Sequence, residues 1–162
     1  MLFRSQMAGV RAAIEASLES ARHLRLRRDR WSQRIETYRT YWRTIRPADD
    51  QLAEAADELD AIRTLAGPDP STLSTLTDRL ARVARILAFA TVPSELAPVH
   101  ATLESASHLA GEAVRIRRQA INLADLPTAW NASAAAAGSV MLFRQARSEL
   151  DSLLKPPEGK QD

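Results

Sequence analysis

One apolar stripe runs from Phe3 to Ile45 and constrains the fold more than any other feature of the chain. Its members are Phe3, Met7, Val10, Ile14, Ala21, Leu24, Trp31, Ile35, Tyr38, Trp42 and Ile45, spaced by alternating steps of four and three with gaps at Ser17 and Arg28. Such spacing is one face of one helix. Steps averaging 3.5 keep that face turned toward a partner helix along its whole length, as in a coiled coil. A helix over about 2–46 would reach roughly 65 Å at 1.5 Å per residue. Arg28 holds a stripe position inside the charged stretch Leu26 to Arg30, where a break is the competing reading. The register crosses that stretch without a slip, so continuity is expected.

The helix is expected to end at Pro47, whose ring blocks its continuation and biases Arg46 away from helical geometry. Asp49 or Asp50 then caps a second helix over 49–66, with Leu52, Ala56, Leu59 and Ile62 on its apolar face and Gly67-Pro68 closing it. After a turn through Asp69-Pro70, Ser71 caps a third helix over 71–91, with Leu73, Leu76, Leu80, Val83 and Leu87 as its stripe. So short a connection makes the second and third helices antiparallel neighbours. Pro93-Ser94 opens a fourth helix over 94–124, with Pro98 harmless in its first turn. Asp125 caps a fifth over 127–154, with Pro127 near its start, and the polar tail 155–162 is expected to fray.

The chain is therefore read as all-α: one domain over 1–154, an antiparallel helical bundle of about five helices with a long N-terminal helix. Its 162 residues suffice for one core, and only 5 Gly interrupt a helix-forming composition. The fourth and fifth helices would reach roughly 45 and 40 Å, the second and third roughly 27 and 30 Å. No single hairpin covers the N-terminal helix, so two hairpins share it or its uncovered part pairs with another chain. The absence of cysteine excludes thiolate chemistry and Cys-based metal sites. No run is long and apolar enough to span a membrane, and no signal peptide is seen. Cytoplasmic location is the default, although a stripe beginning at the third residue looks cut, which leaves room for an upstream export signal.

Charge is unevenly placed. Residues 1–47 hold eleven Arg against Glu15, Glu19, Asp29 and Glu36, and residues 48–66 hold six acids against Arg63. The cluster Arg22, Arg25, Arg27, Arg28, Arg30 and Arg34 invites an electrostatic reading, as a contact for nucleic acid or an anionic membrane surface. Trp31, Tyr38 and Trp42 lie on the stripe and are expected inside, which leaves only Tyr41 for stacking on bases. A fold-back of the second helix would lay Asp49, Asp50, Glu54, Asp57, Glu58 and Asp60 beside Arg34 to Arg46, a simpler use of the charge.

His100, Glu104, His108 and Glu112 recur every four residues on the fourth helix, and Glu15, Glu19 and His23 do so on the first. Facing His and carboxylate groups bind metals in helical bundles. Here Glu104 and His108 fall off the apolar stripe and His100 at its edge, half-buried, so solvated pairing along the helix is the simpler reading. His100, His108 and Glu104 are kept as weak metal candidates. The small-residue run from Asn131 to Ser139 suits close packing against Ala106, Ala110 and Ala113, or else a groove walled by Trp130 and Met141. Nothing proposes catalysis or a cofactor: there is no phosphate loop and no nucleophile elbow. The expected function is a non-catalytic interaction or scaffold protein that self-associates through its first helix. The alternatives are the electrostatic binder and a metal or small-ligand bundle.

Overall fold

The computed structural model describes residues 2–158, with side chains at position 7 and from position 9 onward. Phe3, the first member of the stripe, lies outside the described side chains, and 159–162 of the tail lie outside the described residues. Among the described residues five α-helices follow in order: α1 Leu2–Glu54, α2 Ala56–Arg63, α3 Pro70–Ala88, α4 Ala97–Leu123 and α5 Leu126–Leu154. A 3-10 turn, Ser94–Leu96, leads into α4. Among the described residues there is no strand, so the all-α antiparallel bundle expected from periodicity is the fold. They fall into two compact units, one built on α1 up to Glu36 with the segment from Leu154 onward, the other Thr37–Leu153.

α1 is continuous through Leu26 to Arg30, as its register requires. It does not stop at Pro47, which is a correction to the expected end at 46. Pro47 sits inside the helix on an exposed face, so the Arg43 carbonyl that loses its donor lies toward solvent. The buried positions run Tyr38, Tyr41, Ile45, Ala48, Leu52, Ala55, Leu59 and Ile62, still in steps of three and four. Burying Leu52, Leu59 and Ile62 in phase with Ile45 gains roughly 1.5–3 kcal/mol each. Together these outweigh the roughly 3 kcal/mol cost of an interior proline.

The helix expected over 49–66 is thereby reduced to α2, and Asp49 and Asp50 cap nothing because they lie within α1. The separation between α1 and α2 is slight. Ala55 N–H still donates to Gln51 O at 3.1 Å, and Leu59 N–H to Ala55 O at 3.0 Å, so α-type bonding passes through the junction. α2 ends at Arg63, before Gly67, with Leu65 in the left-handed region at φ 62°. Leu65 takes the conformation that glycine usually supplies after a helix.

α3 begins one residue earlier than expected, at Pro70. Its cap is Asp69 rather than Ser71: the carboxylate accepts from Ser71 N–H at 2.9 Å and Thr72 N–H at 3.0 Å. These bonds hold the exposed Asp69 carboxyl down at about 2. α3 packs along α4, whereas the Arg79–Glu58 pair at 3.3 Å ties it to α2. The expected α2–α3 hairpin is thus displaced by an antiparallel α3–α4 pair, with Arg118 near the end of α4 beside Thr77 near the start of α3.

α5 is capped by Asp125 as read from the sequence, through Thr128 N–H at 2.9 Å and the Thr128 hydroxyl. Its small-residue run meets α4 closely: Ser139 donates to Ala106 O at 2.8 Å, and Ala132, Ala136, Ala106 and Ala110 are fully buried. A Cβ on Gly138 would stand 3.1 Å from Leu109 Cδ1. Close packing, rather than a groove, is what the run does; Trp130 and Met141 are both exposed. α5 also runs antiparallel to the end of α1 and α2, since Arg147 faces Asp49 at 3.5 Å and Ser133 donates to Arg63 O at 2.5 Å.

Because the register is kept through Pro47, Pro47→Ala has a definite expected outcome. Restoring the Arg43 hydrogen bond within a continuous helix should stabilise the protein by about 1–3 kcal/mol in chemical denaturation. No gain, or a loss, would show that the chain breaks at 47.

Candidate interaction surface

The stripe of α1 divides sharply by exposure. Met7 is 71% exposed, Val10 58%, Ile14 55% and Leu18 53%, the last beside the gap at Ser17. Ala21 is exposed, Leu24 and Trp31 are half-buried, and Ile35, Tyr38 and Ile45 are buried. Four large apolar side chains thus lie bare along three turns of one helix, where isolated exposed residues would need no explanation. The residues that flank them pair along the helix: Arg11 with Glu15 at 3.0 Å, and Glu19 with His23 at 3.2 Å and Arg22 at 3.6 Å.

The predicted cluster Arg22, Arg25, Arg27, Arg28, Arg30 and Arg34 is exposed throughout. Arg22 shares Glu19 with His23, and Arg28 Nε donates to Pro157 O at 3.2 Å, so residues 155–158 lie beside the helix there. Among the described residues, Arg25, Arg27 and Arg30 form no ion pair. Because α1 runs through Pro47, the acidic segment 49–60 does not fold back antiparallel along α1, which corrects the arrangement expected beside Arg34 to Arg46. Asp50 does pair with Arg46, at 3.7 Å, but along the same helix; Asp60 pairs with Arg63 at 2.8 Å, Glu58 with Arg79, and Asp49 with Arg147. Asp49 is buried, and burial raises its carboxyl even though the Arg147 guanidinium pulls the other way.

The aromatic side chains also sit differently from expectation. Tyr41, expected to be the one ring free for stacking, is 2% exposed. Its hydroxyl hydrogen-bonds His100 Nδ1 at 2.9 Å, and the rings meet edge-on at 5.9 Å. His100, expected half-buried, is buried as well, with Nε2 3.5 Å from Glu104 Oε1. The physical reason is that α1 beyond Thr37 is covered on two sides, by α4 at Tyr41 and by α5 at Asp49. A stripe only one residue wide underestimates how much of the helix is hidden. The clue in the sequence was the adjacency of Tyr41 and Trp42, which widens the apolar face at that level.

Tyr41, His100 and Glu104 form a connected polar chain from the core to the surface. Burial first, and then the Glu104 charge, push the Tyr41 hydroxyl up to about 12. His108 is exposed and is not brought to His100, and among the described residues no three His, Asp or Glu side chains converge to hold a metal ion. The four-residue spacing of His100 and Glu104, like that of Glu19 and His23, is realised as pairing along one helix.

No protein-family model, no curated protein and no solved structure matches this chain. What the fold and its surface define is an all-α bundle whose first helix carries a bare apolar stripe followed by a basic cluster. Among the described residues no helix is long and apolar enough to cross a membrane.

Tyr41→Phe would leave His100 Nδ1 buried without its partner. The variant should lose about 1–3 kcal/mol of stability at neutral pH. The hydroxyl ionises at 10.0 when unfolded and near 12 when folded, so its contribution is complete below 10 and is lost as pH rises from 10 to about 12. Wild type should therefore converge on Tyr41→Phe across that window in alkaline denaturation; a constant gap would show that the hydroxyl stays out of the core.

Proposed function

We propose that this chain is a non-catalytic helical-bundle interaction protein that self-associates through the first half of α1. The observation that carries the reading is the exposure of Met7, Val10, Ile14 and Leu18 on an uninterrupted helix in coiled-coil register. Burying such a stripe against an identical stripe satisfies both copies at once, which is the logic of an isologous dimer. The charge pattern selects the direction. A parallel pair would set Arg28 against Arg28 at a core position, with Arg25 and Arg27 flanking it. An antiparallel pair centred on Ile14 sets Met7 opposite Ala21 and keeps the two arginine clusters at opposite ends, roughly 30–40 Å apart.

Val10→Asp with Ile14→Asp tests the reading, because both side chains are exposed and their replacement leaves the core untouched. Sedimentation should give a dimer for wild type and a monomer for the double variant at the same micromolar concentration, with unchanged helicity. A monomeric wild type would remove self-association. The chain has no cysteine, so Met7→Cys mixed with Ala21→Cys should cross-link between the two variants if the pair is antiparallel. Cross-linking only within each variant would show the parallel form.

A second reading, electrostatic binding of a polyanion through Arg22 to Arg30, gains from one observation: Arg25, Arg27 and Arg30 are exposed and form no ion pair among the described residues. Its mark is affinity for a DNA duplex or an anionic vesicle falling by about ten-fold or more between 50 and 200 mM salt. Binding that is absent at low salt would end it.

A further inference from the structure

The groove between α3 and α4 is a second unfilled surface, unrelated to the α1 stripe. It has a volume of about 610 Å³, within the size range of small-molecule sites. The groove exists because small residues stand where large ones would close it: Ala81 and Ala84 on α3, and Gly111 on α4. Gly111 is not required by packing. A Cβ placed there meets nothing within 4 Å, in contrast to Gly138, where the neighbouring helix leaves little room. A mid-helix glycine costs about 1 kcal/mol relative to alanine, and at this position it obtains only open space.

Two polar groups at the groove are open to a further partner, one buried and one charged. Ser107, 4% exposed, has a hydroxyl with no hydrogen-bond partner among the described residues. Such a group costs free energy unless something bonds to it. Arg118, exposed at the other end, donates among the described residues to neutral oxygens alone, Thr77 Oγ1 at 3.1 Å and Leu73 O at 3.5 Å. Among the other charged groups along the groove, Glu112 pairs with Arg115 at 2.7 Å and Glu104 Oε1 lies 3.5 Å from His100 Nε2, while His108 is exposed beside Glu112. Ser107 and Arg118 are eleven residues apart on α4, a separation of about 16 Å along the helix. Between them the walls are apolar, with Leu80, Leu87 and Val114 prominent.

We propose that the α3–α4 groove binds an elongated amphiphile, an apolar chain of about twelve carbons with a carboxylate at Arg118 and a hydrogen-bonding group at Ser107. The carboxylate accepts from guanidinium N–H groups that Thr77 and Leu73 do not use. The apolar body covers Val114 and Leu80 and fills the space over Gly111. The far polar group supplies the missing partner of the Ser107 hydroxyl. The site is independent of α1 and of self-association.

The probe is 12-hydroxydodecanoate below its micelle concentration, titrated calorimetrically into the full chain. One molecule should bind per chain. Gly111→Leu should weaken binding by about ten-fold or more while leaving the melting temperature equal or higher, since it fills open space and removes a helical glycine. Arg118→Gln should weaken it by about ten-fold, the value of one charge-assisted hydrogen bond. Dodecanoate, which lacks the terminal hydroxyl, should bind wild type more weakly than the probe, and Ser107→Ala should abolish that difference. Absence of saturable binding would overturn the proposal. So would binding that Gly111→Leu leaves unchanged, which would put the molecule elsewhere, such as the bare stripe of α1.

Discussion

The structure depends on the phase of one apolar stripe being kept through Pro47. Because α1 does not break there, Ala48, Leu52, Ala55, Leu59 and Ile62 stay on the same side as Tyr38 and Ile45, and all are buried. That single register lets α5 lie antiparallel along the end of α1 and then along α2, tied at Asp49–Arg147 and Ser133–Arg63. Had the chain turned at Pro47, the acidic segment would have faced the arginines of α1, and α5 would have had no continuous surface to pack on.

Small residues do two different jobs in this bundle. Along α5, Ala132, Ala136 and Gly138 let α4 approach closely, and Ser139 secures the contact through the Ala106 carbonyl. On the other side of α4, Gly111 faces Ala81 and Ala84 across open space. The residue types are the same, and the outcome is set by how near the neighbouring backbone comes. α4 is consequently tight on one flank and open on the other, with Ser107 left at the open side without a partner.

Charge follows from the same register. Asp49, Asp50, Glu58 and Asp60 pair with arginines of α5, α1, α3 and α2, whereas Arg25, Arg27 and Arg30 form no ion pair among the described residues. The bare stripe and the basic cluster therefore occur in succession on one helix. In the self-association we propose, that order would favour an antiparallel over a parallel pairing, since like charges on flanking and core positions disfavour alignment in parallel.

Much of this was determined by the sequence alone. Helix class, the continuity of α1 through Arg28, the extents of α3, α4 and α5 to within three residues, and the Asp125 cap all follow from local rules, in which a side chain meets its own helix or turn. The passage through Pro47 was also written there, in the seven-residue step from Ile45 to Leu52, but a local proline rule hid it. Only tertiary structure decided that outcome, because it weighs a backbone cost at one residue against burial spread over five others. The same holds for Tyr41 and His100, which are buried by meeting each other across 59 positions of sequence. It holds too for Gly111, whose open space depends on where α3 comes to rest. Periodicity reports which face of a helix is apolar; how wide that face is, and what covers it, depends on neighbours brought together by the fold.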